Sequence, residues 1–314
     1  MSAPLGPAGS ATGRGAPARA AAAWRAWWFP ALPMRRVALL RTLLHLFVVL
    51  DAWRITTWPL AHGDVPAELY RPVLLFRLLH VPAPAPPVTH LALGVLTASA
   101  LVVAAGRLPR LAGAVCAAAY LYWLGNAFGY SKIDHDHLAL LVALCVLPTV
   151  GAVRERGDRA AGALSEAAGW ALRCVQVAAV CTYFLAAIAK VRFGGWDWAA
   201  GAVFTWAFSR RGGGLGELLL SVPHLVVAMQ WVVLLAEFAS PVVLWLRGRA
   251  LAAWLVFWGL FHLGTYLTIG IHFLPTVVCL LAFVPLERVL PQLRGRTQAA
   301  VPPGSRWRLR ATQR

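Results

Sequence analysis

The 314-residue sequence has little negative charge and almost no lysine. It contains 12 acidic residues against 29 basic ones, for a net charge of +17 at pH 7, and only Lys132 and Lys190 are lysines. The arginines lie in short clusters at the ends of apolar segments, without a basic face interleaved with aromatic residues. This distribution argues against a nucleic-acid-binding surface, so no nucleic acid is expected as a partner.

Sequence patterns that bind metals or form disulfides are also missing. The five cysteines all fall inside apolar segments and none belongs to a CxxC pair, which is typical of thiols that only fill space in a core. The nine histidines include no HxxxH or HxxHH repeat, which would place two imidazoles on one helix face. The sequence therefore predicts no metal site.

Neither end of the sequence resembles a signal peptide. Residues 1–23 are rich in Ala, Gly and Pro and have no apolar run followed by a cleavage site. We expect residues 1–34 to form a disordered basic segment with an amphipathic end rich in tryptophan. Residues 292–314 are expected to form a disordered basic tail, which leaves residues 35–291 as the folded domain.

Long apolar segments make up most of the sequence. Hydrophobic residues account for 60% of the chain and the mean hydropathy is +0.66. Apolar runs close to the roughly 20 residues that cross a bilayer recur along the chain. They are centred on residues 37–53, 88–105, 111–129, 137–153, 169–190, 223–246, 250–268 and 273–290.

These segments predict an all-α integral membrane protein, a bundle of about eight transmembrane helices. The fourth and the last segments are short, so a count of seven stays open. Short interfacial helices are expected around residues 65–80 and 196–221, where tryptophans would anchor them at the lipid headgroups.

The arginine clusters predict the orientation of the bundle. They lie before the first segment, between the second and third, after the fourth, between the sixth and seventh, and after the last. Under the positive-inside rule these loops and both termini are cytoplasmic. Loops 54–87, 130–136, 191–222 and 269–272 then face outward. We expect a multi-pass protein of the cell membrane, surrounded by lipid.

One of the outward loops is unusually polar. The stretch KIDHDH, residues 132–137, holds five titratable side chains in six positions. Ionisable groups at membrane depth are costly unless they face a cavity or one another, so they indicate function. Either Asp134 or Asp136 is expected to orient His137. Asp51 and Arg54, three positions apart at the end of the first segment, are spaced to form an ion pair.

The second lysine lies in the segment QVAAVCTYFLAAIAKVRFGGWDWAAG, residues 176–201. Gln176, Tyr183 and Lys190 are spaced by seven and so share one helix face. Arginine cannot release its proton in a protein, whereas a desolvated lysine can, so Lys190 is a candidate base. The alternative is that Lys190 only extends its ammonium group to the membrane surface from the end of its helix.

The segment YFLAAIAKVRFGGWDWAAG resembles one found in vitamin K-dependent gamma-carboxylases and their bacterial relatives, the horizontally transferred transmembrane domain (HTTM) family. The segments DHDHLALLVAL, WVVLLAEFASPVVL and FHLGTYLTIGIHFLPTVV resemble three others of that family, in the same order. The resemblance covers roughly residues 35–290. It implies that Lys190 is the catalytic base, that His137 and His262 are functional histidines and that Glu237 is a buried acid.

This resemblance implies chemistry at one outward-facing site, so Lys190, His137 and His262 are expected to line a single cavity in the outer half of the bundle. Lys190 would deprotonate a reduced naphthoquinone, dioxygen would add, and the strong base so formed would remove a proton from a substrate carbon, to which carbon dioxide can add. His137 and His262 would stabilise the ionised intermediates. Supporting roles are expected for Asp134, Asp136, Tyr183, Glu237 and Tyr266, the last on the same helix face as His262.

Two questions about function stay open at this point. A quinone or a lipid is favoured as the substrate, while a secreted or membrane protein substrate is the alternative. Whether the site is active is also open. The alternative is a non-catalytic membrane scaffold that binds a lipid or quinone at a degenerate site.

Overall fold

The computed structural model describes residues 16–152 and 163–289. In these ranges the fold is all-α, as the sequence predicts, apart from one antiparallel pair of two-residue strands. Long apolar helices are joined by short turns and by two longer connections, residues 56–85 and 195–222, that contain only short helices. The architecture is therefore that of an α-helical membrane protein.

Several of the helices are extended by a turn of π- or 3-10 helix, such as the π-helical turn Asp51–Ile55 that continues α2. The α-helices are α1 (Ala16–Trp28), α2 (Met34–Leu50), α3 (Leu74–Leu78), α4 (Pro86–Ala104), α5 (Leu111–Gly129), α6 (Leu138–Val146), α7 (Glu166–Gly194), α8 (Ala202–Arg211), α9 (Gly214–Leu220), α10 (Pro223–Ala239), α11 (Gly248–Ile269) and α12 (Leu274–Cys279). The two strands, β1 (Leu32–Pro33) and β2 (Leu164–Ser165), pair with Leu32 opposite Ser165 and Pro33 opposite Leu164.

Local sequence signals explain where the long helices begin and end. Pro86 and Pro223 lie in the first turns of α4 and α10, where a missing N–H group costs no helix hydrogen bond. The Ser165 hydroxyl caps α7 by accepting a hydrogen bond from Ala168 N at 3.3 Å. Gly270 ends α11 with a φ of 68°, a conformation that a side chain would disfavour.

Five helices in the described ranges are long and apolar enough to cross a membrane. They are Pro86–Ala104, Leu111–Gly129, Glu166–Gly194, Pro223–Leu244 and Gly248–Ile269. Two apolar helices, His135–Thr149 and Leu274–Phe283, are shorter, and they correspond to the fourth and last of the predicted segments. Helix α2, which corresponds to the first, has 17 residues and includes three arginines.

The first half of the chain packs around one apolar core. Helices α2, α4, α5 and α6 and the N-terminal half of α7 contribute buried side chains, among them Leu40, Leu96, Trp123, Leu144 and Leu172. The C-terminal half of α7 extends past this core and packs against α10. Helix α7 therefore links the core to the second half of the bundle.

Two arginines of α2 fasten the N-terminal end of that helix to other elements. The buried Arg41 guanidinium donates to the carbonyl oxygens of Leu147 at 3.2 Å and Val150 at 2.7 Å, which follow the end of α6. The guanidinium thus supplies donors at the C-terminal end of this helix, where the last carbonyls are incompletely paired within the helix itself. Arg36 donates to both carboxylate oxygens of Glu287, at 2.9 and 2.6 Å.

Helix α1 includes residues that were expected to be disordered, so that part of the expectation was wrong. Residues 16–23 are helical, because their run of alanines strongly favours a helix. The expected tryptophan-rich end is part of this helix, and Trp27 packs against Trp245 with ring centroids 5.9 Å apart. The disorder expected for residues 1–15 and 292–314 concerns parts of the chain outside the described residues.

Short helices occur in both regions where interfacial helices were expected. Helix α3 lies within residues 65–80, and helices α8 and α9 lie within residues 196–221. The side chains of Trp196 and Trp206 are exposed, as expected of tryptophans that contact lipid headgroups.

The close approach of Pro30 to α7 gives a test of this packing. A Cβ atom on Gly169 would overlap the Pro30 carbonyl oxygen, so Gly169→Ala must displace the backbone there. We expect it to destabilise the protein by about 1–3 kcal/mol, the usual cost of overpacking. Gly94→Ala is the control, because a Cβ on Gly94 meets no atom within 4 Å. Equal melting temperatures for the two purified variants would contradict this packing.

Candidate functional site

Several polar side chains inside the second half of the bundle line a pocket between α7, α8, α10, α11 and α12. The pocket has a volume of about 480 Å³, within the range of small-molecule sites. Its walls are mostly apolar and aromatic, and its polar residues include His135, Tyr183, Lys190, Glu237 and His262. We call this cavity the lysine pocket.

Lys190 and Glu237 form an ion pair inside the lysine pocket. The Lys190 ammonium donates to the two carboxylate oxygens of Glu237 at 2.5 and 2.6 Å. The Glu237 side chain is 6% exposed and that of Lys190 is 23% exposed. The Lys190 Nζ atom also lies 5.1 Å from the centre of the Trp198 ring. Lys190 is thus turned into the pocket, towards a buried acid and an aromatic face.

A second polar pair, Tyr183 and His262, lies in the same pocket. The Tyr183 hydroxyl is 2.8 Å from His262 Nε2. The Tyr183 ring stacks on the Trp258 ring, with centroids 3.9 Å apart. The His262 Nδ1 atom is buried and has no hydrogen-bond partner among the described residues. Tyr183 and Lys190 both line the pocket, as their spacing of seven on α7 predicts.

His137 belongs to a different buried network, beside the lysine pocket. Its Nδ1 atom lies 3.1 Å from Asp136 Oδ1, and its Nε2 atom lies 3.0 Å from the Thr56 hydroxyl and 3.4 Å from Asp51 Oδ1. The carboxylate that orients His137 is therefore Asp136. Asp134 instead forms an ion pair with Lys132 at 2.7 Å.

Asp51 organises this second network, which we call the Asp51 network. Its buried carboxylate accepts hydrogen bonds from Tyr120 at 2.8 Å and from Thr56 at 3.0 Å. The Trp123 indole donates to the Thr56 carbonyl at 2.9 Å, which fixes the turn after α2. The pair expected between Asp51 and Arg54 is not among the ion pairs of the described residues, and Arg54 is exposed.

Sequence reasoning missed the partners of Asp51. Tyr120 and Thr56 are 69 and 5 positions away from Asp51 along the chain, so helical spacing gives no signal for the first. One signal was available for Asp51 itself, because a carboxylate at the end of an apolar segment is expensive without partners. The π-helical turn that places Asp51 beside these partners is visible only in the structure.

The residues expected to share one cavity are therefore divided. Lys190 and His262 line the lysine pocket, whereas His137 does not. His135 lines it instead, two positions earlier in the same loop. Tyr266 is 53% exposed and does not line the pocket, although it follows His262 by one turn on α11.

A groove on the other side of α7 also reaches Lys190. It has a volume of about 560 Å³ and lies between α6 and α7. Its lining shares His135, Thr182, Ala186 and Lys190 with the lysine pocket. Its outer wall includes the exposed side chains of Leu138 and Leu185. Within the described ranges, no three His, Cys, Asp or Glu side chains are placed to hold a metal ion together.

Replacement of Asp51 tests the importance of the Asp51 network. We expect Asp51→Asn to lower the free energy of unfolding by about 3–5 kcal/mol. The substitution removes the buried negative charge to which the surrounding side chains are hydrogen-bonded. Asp64→Asn is the matched control, since Asp64 is exposed on the same loop region. The measurement is thermal unfolding of each purified variant in detergent. Indistinguishable midpoints for the two variants would contradict a structural role for the network.

Comparisons of the chain with models of protein families, with curated proteins and with solved structures found no match. The resemblance to the gamma-carboxylase family therefore rests on the four segments quoted from the sequence. The function is inferred below from the geometry of the lysine pocket.

Proposed function

We propose that this protein binds a reduced naphthoquinone in the lysine pocket and uses Lys190 as a base. The observation that carries this proposal is a lysine–carboxylate pair inside an aromatic pocket in an apolar helix bundle. Pockets of this kind, with apolar walls and a few convergent polar groups, are typical of small-molecule sites.

The residues of the pocket suit a flat aromatic ligand with two oxygen atoms. Trp198, Phe204 and Phe273 are among the rings that line the walls, and such rings favour stacked or edge-on contact with another ring. The Lys190 ammonium can donate to one ligand oxygen. The unpartnered His262 Nδ1 can bond to a second. The ligand would supply acidic hydroxyl groups and two electrons.

The ion pair affects how Lys190 can act as a base. A carboxylate at 2.5 Å stabilises the ammonium form of lysine. In a poorly solvated pocket, however, the charged pair loses its stabilisation by water. When the proton lies on Glu237, the neutral Lys190 amine has a lone pair that can accept a proton from a ligand hydroxyl. Glu237 then acts as the store for the proton that Lys190 gives up.

His262 and His137 take different roles in this proposal. His262 lies in the pocket, and Tyr183 at 2.8 Å fixes the orientation of its ring. His137 acts as a positioning residue, because its network holds the loop that carries His135 into the pocket. Thr276 at the start of α12 supports the same loop by donating to the Asp136 carbonyl at 2.8 Å.

We also propose that the chain crosses the cell membrane eight times, an even number that leaves both termini in the cytoplasm. The five long helices supply five of the crossings. The others are α2 and the shorter apolar helices His135–Thr149 and Leu274–Phe283, which are packed against the long ones. Exposed leucines such as Leu91 on α4 and Leu260 on α11 form the outer surface, as expected of a surface in contact with lipid.

The second candidate function is a membrane scaffold that binds a quinone or lipid without catalysis. The close contact of Lys190 and Glu237 favours it, because a permanently charged pair would hold the two helices together without releasing a proton. A secreted or membrane protein substrate remains an alternative to a quinone or lipid under the catalytic proposal. The two candidate functions make opposite predictions for Lys190.

The proposed topology predicts opposite labelling of two loops. We expect a cysteine introduced by Arg107→Cys to react only from the cytoplasm and one introduced by Lys132→Cys to react only from outside. The reason is that arginine-rich loops stay in the cytoplasm. The measurement is reaction with a membrane-impermeant maleimide in intact cells and inverted vesicles, with the five native cysteines replaced. Cytoplasmic labelling at position 132 would overturn the orientation.

The variant Lys190→Arg distinguishes between two roles of Lys190, a catalytic base and a charged anchor. Arginine can keep the ion pair with Glu237 but cannot give up its proton, so we expect at least about a 100-fold loss of turnover. Lys132→Arg is the matched control, because Lys132 is 82% exposed and pairs with Asp134. The measurement is oxidation of a reduced naphthoquinone by dioxygen in proteoliposomes that contain each variant.

Two outcomes would contradict the catalytic proposal. Equal turnover by Lys190→Arg and the parent protein would show that Lys190 is not the base. Purification in native lipid followed by mass spectrometry tests binding separately. Recovery of phospholipid without any quinone would favour the scaffold.

A further inference from the structure

A second pocket lies at the opposite end of α7 from Lys190. It has a volume of about 210 Å³, and its lining includes Arg36, Arg173, Arg247 and Gln176. None of the carboxylates in the described residues is part of that lining. We call this cavity the arginine pocket. Its three guanidinium groups bring positive charge together at one end of the bundle.

One of the three arginines is neutralised within the fold. Arg36 makes a bidentate ion pair with Glu287, at 2.6 and 2.9 Å. The carboxylate of Glu287 is largely buried, so the pair is shielded from water. Arg36 therefore contributes shape and hydrogen-bond donors to the pocket more than net charge.

The other two arginines have only neutral hydrogen-bond partners in the part of the chain that the structure describes. Arg173 donates to the Trp27 carbonyl at 3.2 Å and to the Gln176 side-chain oxygen at 2.9 Å. Arg247 donates to the carbonyls of Leu244 and Leu246, at 3.3 and 2.7 Å. Two positive charges thus face one small pocket without an acidic partner, an arrangement that an anion would stabilise.

The surroundings of the pocket are those of a membrane surface. The guanidinium of Arg173 lies 4.4 Å from the centre of the Trp27 ring, and Trp27 packs against the exposed Trp245. Tryptophans gather where lipid headgroups meet the hydrocarbon. Helix α11 begins at Gly248, directly after Arg247, and no side chain caps its first N–H groups. The positive end of that helix adds to the attraction for an anion.

We propose that the arginine pocket binds a phosphate group, carried by an anionic phospholipid or present as a free ion. Guanidinium groups bind phosphate oxygens through paired N–H donors, which makes arginine the preferred side chain for this anion. A pocket of 210 Å³ holds a headgroup phosphate but not a large polar molecule. This site is independent of the chemistry proposed at Lys190.

The test uses the full-length protein purified in neutral detergent and three probes. The probes are dioleoyl phosphatidylglycerol, dioleoyl phosphatidylcholine and inorganic phosphate, with binding followed by native mass spectrometry. We expect the protein to prefer phosphatidylglycerol over phosphatidylcholine. We expect Arg247→Gln to weaken phosphatidylglycerol binding by roughly tenfold, the usual effect of losing a charge-assisted hydrogen bond.

The matched control is Arg249→Gln, which removes the same charge from an exposed position outside the pocket. It should bind phosphatidylglycerol as the parent protein does. Arg173→Lys is a second variant that keeps the charge but loses the paired donors, and it should also bind more weakly. Displacement of the lipid by inorganic phosphate would identify a site for the free ion, and no displacement would identify a lipid headgroup site.

Equal binding of phosphatidylglycerol by the parent protein, Arg247→Gln and Arg173→Lys would overturn the proposal. So would an equal affinity for phosphatidylcholine. Glu155 and Asp158 lie outside the described residues, so the double variant Glu155→Gln/Asp158→Asn is tested as well. If only this double variant binds phosphatidylglycerol, those carboxylates are the counter-charges of the arginines and the phosphate site is excluded.

Discussion

The contact between Lys190 and Glu237 is the interaction on which the second half of the bundle depends. An apolar environment makes every isolated charge expensive, so a lysine on α7 and a glutamate on α10 are stable there only as partners. Their pairing fixes how α7 lies against α10, and the aromatic walls of the lysine pocket follow from that placement. The packing of α7 against α10 and the proposed chemistry therefore depend on the same two side chains.

The sequence predicts the helices well because long apolar runs leave few alternatives in a membrane. The five long helices fall on five of the predicted segments, and the two shorter ones fall on the segments that were already marked as short. The spacing of Tyr183 and Lys190 also predicts their shared face. The sequence fails for contacts between distant segments. Nothing in a local pattern shows that Tyr120 donates to Asp51, or that His135 and not His137 faces the lysine pocket.

The polar residues form two groups, the Asp51 network and the lysine pocket, and the two groups suit different roles. The Asp51 network is fully buried and each of its main members has partners, so it stabilises the junction of α2, α5 and the loop before α6. The lysine pocket has polar groups available for a ligand, since His262 Nδ1 has no partner among the described residues and Lys190 remains partly exposed. Saturated hydrogen bonding suits a structural role, whereas unsatisfied donors and acceptors suit the binding of a ligand.

The length of α7 has a consequence for proton transfer. Its 29 residues extend over about 43 Å at the usual helical rise, well beyond the roughly 30 Å of hydrocarbon in a bilayer. The helix must tilt or project from the bilayer, and Lys190 near its C-terminal end then lies close to the boundary between hydrocarbon and water. Under the proposed function, a hydrophobic ligand would reach the lysine from the side, through the groove between α6 and α7, while protons would be exchanged with water along the bilayer normal. In that proposal the hydrophobic ligand and the protons reach Lys190 by separate routes.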